Sequence, residues 1–241
     1  MKLLDNIEKL AYGNLNRENL QYIEQDSLFN NYIDVFFDNP YPNLSETEKE
    51  IDFIIDIQNS YMTKPNWKKY KRFMQECDDD IKQLLKRKLN EIGLKWTNKC
   101  ADLLEKIQSE CGSLIMHLKR DYNRARPFQM AYYTGQDLHP FNTISGQSPA
   151  YPSGHAFQSR FLLKIVAFNY PQYKDKIKKL AEDIAFTRIV MGVHYPSDNK
   201  FGFEIADKLA TYPQIRDKYF TRKIFNNNCG CGMTPCKTYG R

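Results

Sequence analysis

The sequence has no long apolar run. Its stretches of consecutive apolar residues are only a few residues long, whereas a membrane-spanning helix needs about 18 or more. The N-terminus, MKLLDNIEKLAYGN, lacks the apolar segment of a secretory signal because charged residues recur every few positions. We therefore expect a soluble, intracellular protein that contacts a membrane peripherally at most.

The sequence also has little charge bias. Its 241 residues carry a formal net charge of +6, and Lys and Arg are scattered rather than gathered in blocks. This pattern is typical of a solvated basic surface, so we expect no nucleic-acid partner. It is compatible with anionic substrates and with peripheral contact with an anionic membrane, and it carries no signal for the oligomeric state.

Cysteine is present, but in no recognisable metal or disulfide pattern. The six positions are Cys77, Cys100, Cys111, Cys229, Cys231 and Cys236. The first three lie in helical patterns, where buried free thiols are expected. The last three form CGCGMTPC, which has no CxxC pair and no nearby histidine. We interpret this segment as a loose tail, with a zinc site or a disulfide as the alternative.

Helical periodicity dominates the chain, and no alternating strand pattern occurs. Apolar residues recur at helical spacing after the capping-box pattern of Ser45 and Glu48, after the acidic run at 78–80, and after Thr97. Further helices are predicted over 155–169, 174–191 and roughly 198–211, with weaker ones within 1–35. The sequence therefore predicts an all-α fold, a single-domain multi-helix bundle.

No repeat or Gly-, Pro- or Ser-rich linker divides the chain. We predict a helical extension over 1–44 packed on the core, a helical core over 45–225, and a Cys-containing tail over 226–241. The segment from Pro127 to Pro152 has no helical stripe and is rich in Tyr, Gly, Pro, Ser, Asn and Gln. A loop of this length inside a compact domain is usually functional.

The first candidate segment for chemistry is KRDYNRARP. Lys119 and Arg126 are seven residues apart, which puts them on almost the same helix face and roughly 10 Å apart along the axis. Pro127 disfavours helix at Arg126, so this arginine is predicted at or beside a helix end. Two cations aimed at one place suit an oxyanion. A solvated basic helix end is the alternative.

The second candidate segment is PSGH, which leads into an apolar helix. Small residues at a helix start expose free N–H groups that bind anions. Ser153 and Gly154 would supply such groups, Ser153 adds a hydroxyl, and His155 lies within reach of the bound anion. An ordinary Ser cap with an incidental histidine is the alternative.

The third candidate segment is TRIVMGVHYPSD. Arg188 stands four residues after Ile184, so it projects from the apolar helix face and needs an anionic partner, for which the sequence offers few acids nearby. Gly192 then breaks the helix and presents His194. Asp198 can accept the Nδ1–H bond of His194, which leaves Nε2 as a free lone pair. A structural His–Asp pair is the alternative.

Together the three segments supply cations, N–H donors, an acid and an oriented nucleophile, which a phosphoryl-transfer site requires. Their order and spacing, KxxxxxxRP, PSGH and [ST]RxxxxxHxxxD, resemble the signature of the type 2 phosphatidic acid phosphatase superfamily. That superfamily also includes class A acid phosphatases and vanadium haloperoxidases. The matching positions are Lys119, Arg126, Pro127, Pro152, Ser153, Gly154, His155, Arg188, Gly192, His194 and Asp198.

The resemblance implies an all-α fold of the acid phosphatase and vanadium haloperoxidase type. It also implies a metal-independent phosphatase without a cofactor, whose substrate is a small-molecule phosphate ester. His194 would be the nucleophile, His155 the acid and Asp198 the orienting carboxylate. The phosphate would bind to Lys119, Arg126, Ser153, Gly154 and Arg188.

Three alternatives stay open at this point. One is a lipid-phosphate or pyrophosphate phosphatase that acts peripherally at a membrane; the lack of apolar spans favours a soluble ester over it. Another is a vanadium-dependent haloperoxidase, because the same residues would hold vanadate. The third is a non-catalytic structural or interaction protein, although a binding module would not need both histidines.

Overall fold

The computed structural model describes residues 10–222 and 224–225. The predicted tail with Cys229, Cys231 and Cys236 lies outside the described residues, and the proposed boundaries at 44 and 225 stay predictions. The helices are α1 (Arg17–Ile23), α2 (Leu44–Met62), α3 (Trp67–Asp79), α4 (Ile81–Glu91), α5 (Asn98–Tyr122), α6 (Pro127–Thr134), α7 (Gly154–Asn169), α8 (Lys174–Val190), α9 (Pro196–Leu209) and α10 (Pro213–Tyr219), with 3₁₀ segments at Leu28–Phe36 and Pro171–Tyr173.

The prediction of an all-α fold is confirmed. Across the described ranges the chain forms helices and no strand, apart from one isolated bridge between Ala11 and Arg124. No helix in this part of the chain combines the length and apolar character that crossing a bilayer requires. Cys77, Cys100 and Cys111 are buried free thiols, as their helical positions predicted.

Helix starts follow the capping residues, with one shift from the prediction. Thr97 caps α5 as predicted, because its side chain accepts a hydrogen bond from the N–H of Cys100. Helix α2 begins earlier than expected. Its capping box joins Asn43 and Glu46 rather than Ser45 and Glu48, since Asn is as good an N-cap as Ser and comes first in the chain.

Helix α7 forms the centre of the molecule and packs against both α8 and α9. Most of its residues from Ala156 to Val166 are buried, and in that stretch only Gln158, Arg160 and Lys164 are partly exposed. Helix α9 approaches the start of α7 closely at Gly202, where a Cβ atom would lie 2.7 Å from the carbonyl oxygen of Ser153. This close approach brings the first turns of α7 and α9 together.

The prediction of a loop from Pro127 to Pro152 is wrong for the first third of that segment, because α6 occupies Pro127–Thr134. Helix α5 is capped by Asn123, which has a φ of 46°, a conformation that Asn tolerates better than most residues. Pro127 then starts α6, as proline commonly does at a first helical position. Lys119 therefore lies in the last turn of α5 and Arg126 immediately before α6, so the two residues do not share one helix face.

Candidate active site

The predicted site residues come together around one cavity of about 450 Å³ at the helix ends. The residues are Lys119 in the last turn of α5, Arg126 before α6, Ser153, Gly154 and His155 at the start of α7, Arg188 in the last turn of α8, His194 between α8 and α9, and Asp198 in the first turn of α9. Lys119, Arg126, Gly154, His155 and His194 line the cavity, whereas Ser153, Arg188 and Asp198 lie behind its wall.

The turn between α8 and α9 holds His194. Gly192 ends α8 with a φ of 69°, and Pro196 starts α9. The N–H groups of Val193 and His194 both donate to the carbonyl oxygen of Arg188, which locks this turn. As a result, the imidazole points into the cavity wall and is only 2% exposed.

Both ring nitrogens of His194 have defined partners. Nδ1 lies 3.0 Å from Oδ2 of Asp198, and Nε2 lies 2.9 Å from Nη1 of Arg126. A guanidinium can only donate and a carboxylate can only accept, so Nδ1 carries the hydrogen and Nε2 carries the lone pair. Burial, followed by the nearby cations Arg126 and Lys119, lowers the pKa of His194 well below its usual value, which keeps the ring neutral.

Asp198 is completely buried and uses both carboxylate oxygens. Oδ2 also accepts a hydrogen bond of 2.9 Å from the N–H of Tyr195, and Oδ1 lies 2.7 Å from Nη1 of Arg124. Sequence reasoning missed Arg124. Arg124 stands in KRDYNRARP, two residues before the matched Arg126. No feature of the neighbouring sequence indicates that its side chain contacts Asp198.

Lys119 and Arg126 form a buried cationic wall, and neither pairs with a carboxylate in the part of the chain that the structure describes. Lys119 donates to the carbonyl oxygen of Pro149. Arg126 donates through Nε to the carbonyl oxygen of Ser148 at 2.7 Å. Burial lowers the pKa of Arg126 to about 10 and that of Lys119 well below its usual value. Two buried cations held by carbonyl oxygens favour an anionic ligand in the cavity.

Arg188 has an internal acidic partner that its sequence neighbourhood did not reveal. Its Nη1 lies 3.0 Å from Oδ1 of Asp78, at the end of α3, and its Nη2 donates to Thr143 and Ser145 at 2.9 and 2.8 Å. Asp78 and Ser145 line the cavity and separate much of the guanidinium from it. Among the described residues Nε of Arg188 has no partner, so one donor stays available for a further acceptor.

The start of α7 offers fewer N–H donors than predicted. The N–H of Ser153 donates to the carbonyl oxygen of Asp198 at 3.0 Å, and its hydroxyl oxygen accepts from the N–H of Ala156 at 3.3 Å. The expectation that the Ser153 N–H binds an anion is therefore wrong, because tertiary contact with α9 already uses it. Gly154 and His155 are the first residues of the helix, where N–H groups have no intrahelical partner.

His155 lines the same cavity from the first turn of α7. Its Nε2 is 3.2 Å from the carbonyl oxygen of Cys77, so Nε2 carries a hydrogen and Nδ1 is the other available ring atom. Burial and, next, the charge of Arg188 lower the pKa of His155 to about 3. A negative charge in the cavity would oppose that shift.

Residues 108–211 match the model of the PAP2 superfamily, and they include all eight predicted site residues, Lys119, Arg126, Ser153, Gly154, His155, Arg188, His194 and Asp198. This segment, which carries the predicted site, belongs to the PAP2 superfamily. The suspected resemblance is therefore confirmed at the level of the superfamily.

Curated relatives of this PAP2 protein include two lipid A 1-phosphatases. The one from Rhizobium johnstonii is 35% identical over 87 residues, which are 36% of this chain and 35% of the relative. The one from Rhizobium etli is 33% identical over 89 residues, which are 36% of this chain and 37% of the relative. The matched part thus spans little more than a third of the length of either relative.

Away from the cations, the cavity of the PAP2 protein has a polar wall with a few apolar side chains. Asn19 of α1 donates to the carbonyl oxygen of Gln147 at 2.7 Å, which ties α1 to the rim. Ile144, which is 64% exposed, and Tyr22 also line the cavity. Over the described ranges, no group of three or more His, Cys, Asp or Glu residues is arranged to hold a metal ion.

Proposed function

We propose that the chain is a phosphatase that works through a phosphohistidine intermediate without a metal ion. The observation that carries this proposal is the state of His194, a neutral buried imidazole whose Nε2 lone pair faces the guanidinium of Arg126. A nucleophile placed at a cluster of buried cations suits an anionic electrophile, and a phosphate ester is one. Family membership supports the same chemistry.

In the first step, Nε2 of His194 attacks phosphorus and the bond between phosphorus and the ester oxygen breaks. A phosphoryl oxygen takes over the Nη1 contact of Arg126 as the N–P bond forms. Asp198 stabilises the positive imidazole ring through Nδ1–H. Lys119 and Arg126 neutralise the non-bridging oxygens, the N–H of Gly154 adds a hydrogen bond, and Arg188 contributes its positive charge from behind the cavity wall.

His155 supplies and recovers the proton. The bound phosphate ester raises the pKa of His155, so that the protonated ring can give its proton to the departing oxygen. The neutral ring then takes a proton from a water molecule as that water attacks phosphorus. The N–P bond breaks, inorganic phosphate leaves, and the lone pair returns to Nε2 of His194.

Among substrates, a lipid phosphate monoester is favoured over the soluble ester that the sequence indicated. The two curated relatives are named lipid A 1-phosphatases. Apolar side chains at the cavity, Ile144 and Tyr22, offer contacts to the acyl part of such a substrate, and peripheral binding would bring it to the site without a membrane span. We therefore propose a phosphorylated lipid with a polar headgroup.

The test is phosphate release by the purified protein in the presence of a chelator. Lipid A 1-phosphate and phosphatidic acid in mixed micelles are compared with p-nitrophenyl phosphate. We expect all turnover to be lost in His194→Ala and retained in His139→Ala, whose imidazole is exposed. Normal turnover in His194→Ala, or chelator inhibition reversed by a divalent ion, would refute the mechanism. Turnover of the soluble ester alone would refute the lipid assignment but not the mechanism.

A further inference from the structure

Arg124 lies directly behind the pair of His194 and Asp198, on the side away from the cavity. It is 2% exposed, and it does not line the cavity. Its Nη1 donates to Oδ1 of Asp198 at 2.7 Å, while Oδ2 of the same carboxylate faces Nδ1 of His194 at 3.0 Å. Arg124 and His194 therefore contact opposite oxygens of one carboxylate.

This arrangement fixes the carboxylate of Asp198 at three points. Arg124 holds one oxygen, and the N–H of Tyr195 holds the other at 2.9 Å together with His194. With one oxygen anchored, the carboxylate cannot rotate about its Cβ–Cγ bond without breaking a buried charged contact, which is costly. The direction of Oδ2 towards Nδ1 is thus set by Arg124 as well as by the backbone of α9.

Arg124 is itself held by the long helix α2. Its Nη2 donates to Thr47 at 3.1 Å and to Oε2 of Glu50 at 3.0 Å. Glu50 also accepts the N–H and the hydroxyl of Ser197, each at 2.7 Å. The guanidinium packs with its central carbon 3.7 Å from the ring centre of Tyr195. Helix α2 therefore connects to the first turn of α9 through a planar, multiply bonded group.

We propose that Arg124 is a positioning residue, which orients Asp198 and keeps it ionised so that Asp198 can stabilise the charge that develops on His194. This inference rests on the proposed phosphohistidine mechanism. Arg124 would touch neither the substrate nor the reacting atoms. Thr47 and Glu50 of α2 would hold the guanidinium in place. Helix α2, which lies outside the matched PAP2 segment, would thereby help to orient Asp198.

Loss of Arg124 should change the pH dependence of the reaction. Burial raises the pKa of Asp198, and the positive charge of Arg124 is the largest effect that opposes this rise. The charged and titratable groups near Asp198 are Arg124, Arg126, Lys119, Glu50, Tyr151, Tyr195 and His194. Loss of Arg124 removes a lowering effect, so the pKa of Asp198 should rise and the ionised form should be lost at a higher pH.

The test compares Arg124→Gln and Arg124→Lys with a matched control, Arg120→Gln. Arg120 lies in the same segment but is exposed and pairs with Asp121. Measurements are kcat and KM on p-nitrophenyl phosphate from pH 4 to 9, the inhibition constant of inorganic phosphate, and Tm. For Arg124→Gln we expect kcat to fall about 10–100-fold, as for other groups that orient a catalytic side chain. KM and phosphate binding should change little, and the acidic limb of the kcat profile should move to higher pH.

Arg124→Lys should recover part of kcat and move the acidic limb back, because an ammonium keeps the buried charge but lacks the planar fork that joins Asp198 to Thr47 and Glu50. Arg120→Gln should behave as wild type. A folded Arg124→Gln variant with normal kcat and an unchanged pH profile would overturn the proposal. A fall in kcat that is accompanied by a fall in Tm, but not by a shift of the acidic limb, would also overturn it. If Arg124→Gln does not fold, Arg124→Lys decides, and wild-type kcat and profile in that variant would overturn the proposal. A wild-type protein without phosphatase activity would instead refute the proposed function.

Discussion

Nδ1 of His194 lies 3.0 Å from Oδ2 of Asp198, four residues further along the chain. The contact is possible at this spacing because α9 starts at Pro196, between the two residues, and turns the carboxylate back towards the imidazole. It presents the Nε2 lone pair to the cavity.

Asp198→Asn should lower kcat on the order of 10²–10⁴-fold with a smaller effect on KM. The amide keeps the shape of the side chain but removes the negative charge, and it can select the wrong tautomer of His194. Steady-state kinetics checks this. The control is Asp207→Asn on the same helix, where the carboxylate pairs with Arg160 and Lys164. Equal kcat in the two variants would contradict the role given to Asp198.

His155→Ala should allow a phosphoenzyme to accumulate when the ester has a good leaving group such as p-nitrophenol. Such a leaving group needs no proton, whereas hydrolysis of the intermediate needs a base. Rapid-quench labelling should show an acid-labile, base-stable phosphoryl group, located on His194 by mass spectrometry. The double variant with His194→Ala should carry no label. A single variant that loses turnover without any label would argue against His155 as the base for dephosphorylation.

Inorganic phosphate should raise the pKa of His155. Burial and the charge of Arg188 lower this pKa to about 3, and a bound anion close to the ring would favour its protonated form by about 1–3 units. The pKa therefore moves upwards on binding, and phosphate affinity should increase as pH falls through that range. NMR titration of the ring protons with and without phosphate measures the shift. The signal of His117, which does not line the cavity, serves as the internal control and should not move with phosphate.

Asp78→Asn should reduce the free energy of unfolding by about 2 kcal/mol at neutral pH. Burial raises the pKa of Asp78, but Arg188 and the hydroxyls of Ser145 and Thr143 outweigh it and lower the pKa from 3.8 to about 2. Each pKa unit corresponds to about 1.4 kcal/mol. Because the folded-state pKa is depressed, the stabilisation is present above about pH 4 and is lost as pH falls towards 2.

Urea denaturation at pH 7 and at pH 2.5 measures the difference between Asp78→Asn and wild type. That difference should shrink at the lower pH. The neighbouring exposed acid offers the control, and Asp79→Asn should change stability little at either pH. A difference between Asp78→Asn and wild type that does not depend on pH would mean that the ion pair with Arg188 does not stabilise the fold.

Local patterns were sufficient for most of the helices. Apolar spacing predicted α5, α7, α8 and α9, and Thr97 marked the start of α5, because a helix that packs on one core must repeat apolar residues along its buried face. Helix α6 was missed. Its sequence, PFQMAYYT, is short and has no clear apolar stripe, and it forms because Arg126 is anchored and Pro127 is suited to a first helical position.

The amino-acid sequence by itself determined the helical class, the family signature and the spacing that lets Asp198 contact His194, since each depends on residues close together in the chain. Only the tertiary structure decided which charges meet. Asp78 pairs with Arg188 across 110 residues, and Arg124 reaches Asp198 across 74. The N–H of Ser153 likewise binds a carbonyl of α9. Such contacts act over a few ångströms between buried groups, so they depend on how the helices pack, which no local pattern of residues encodes.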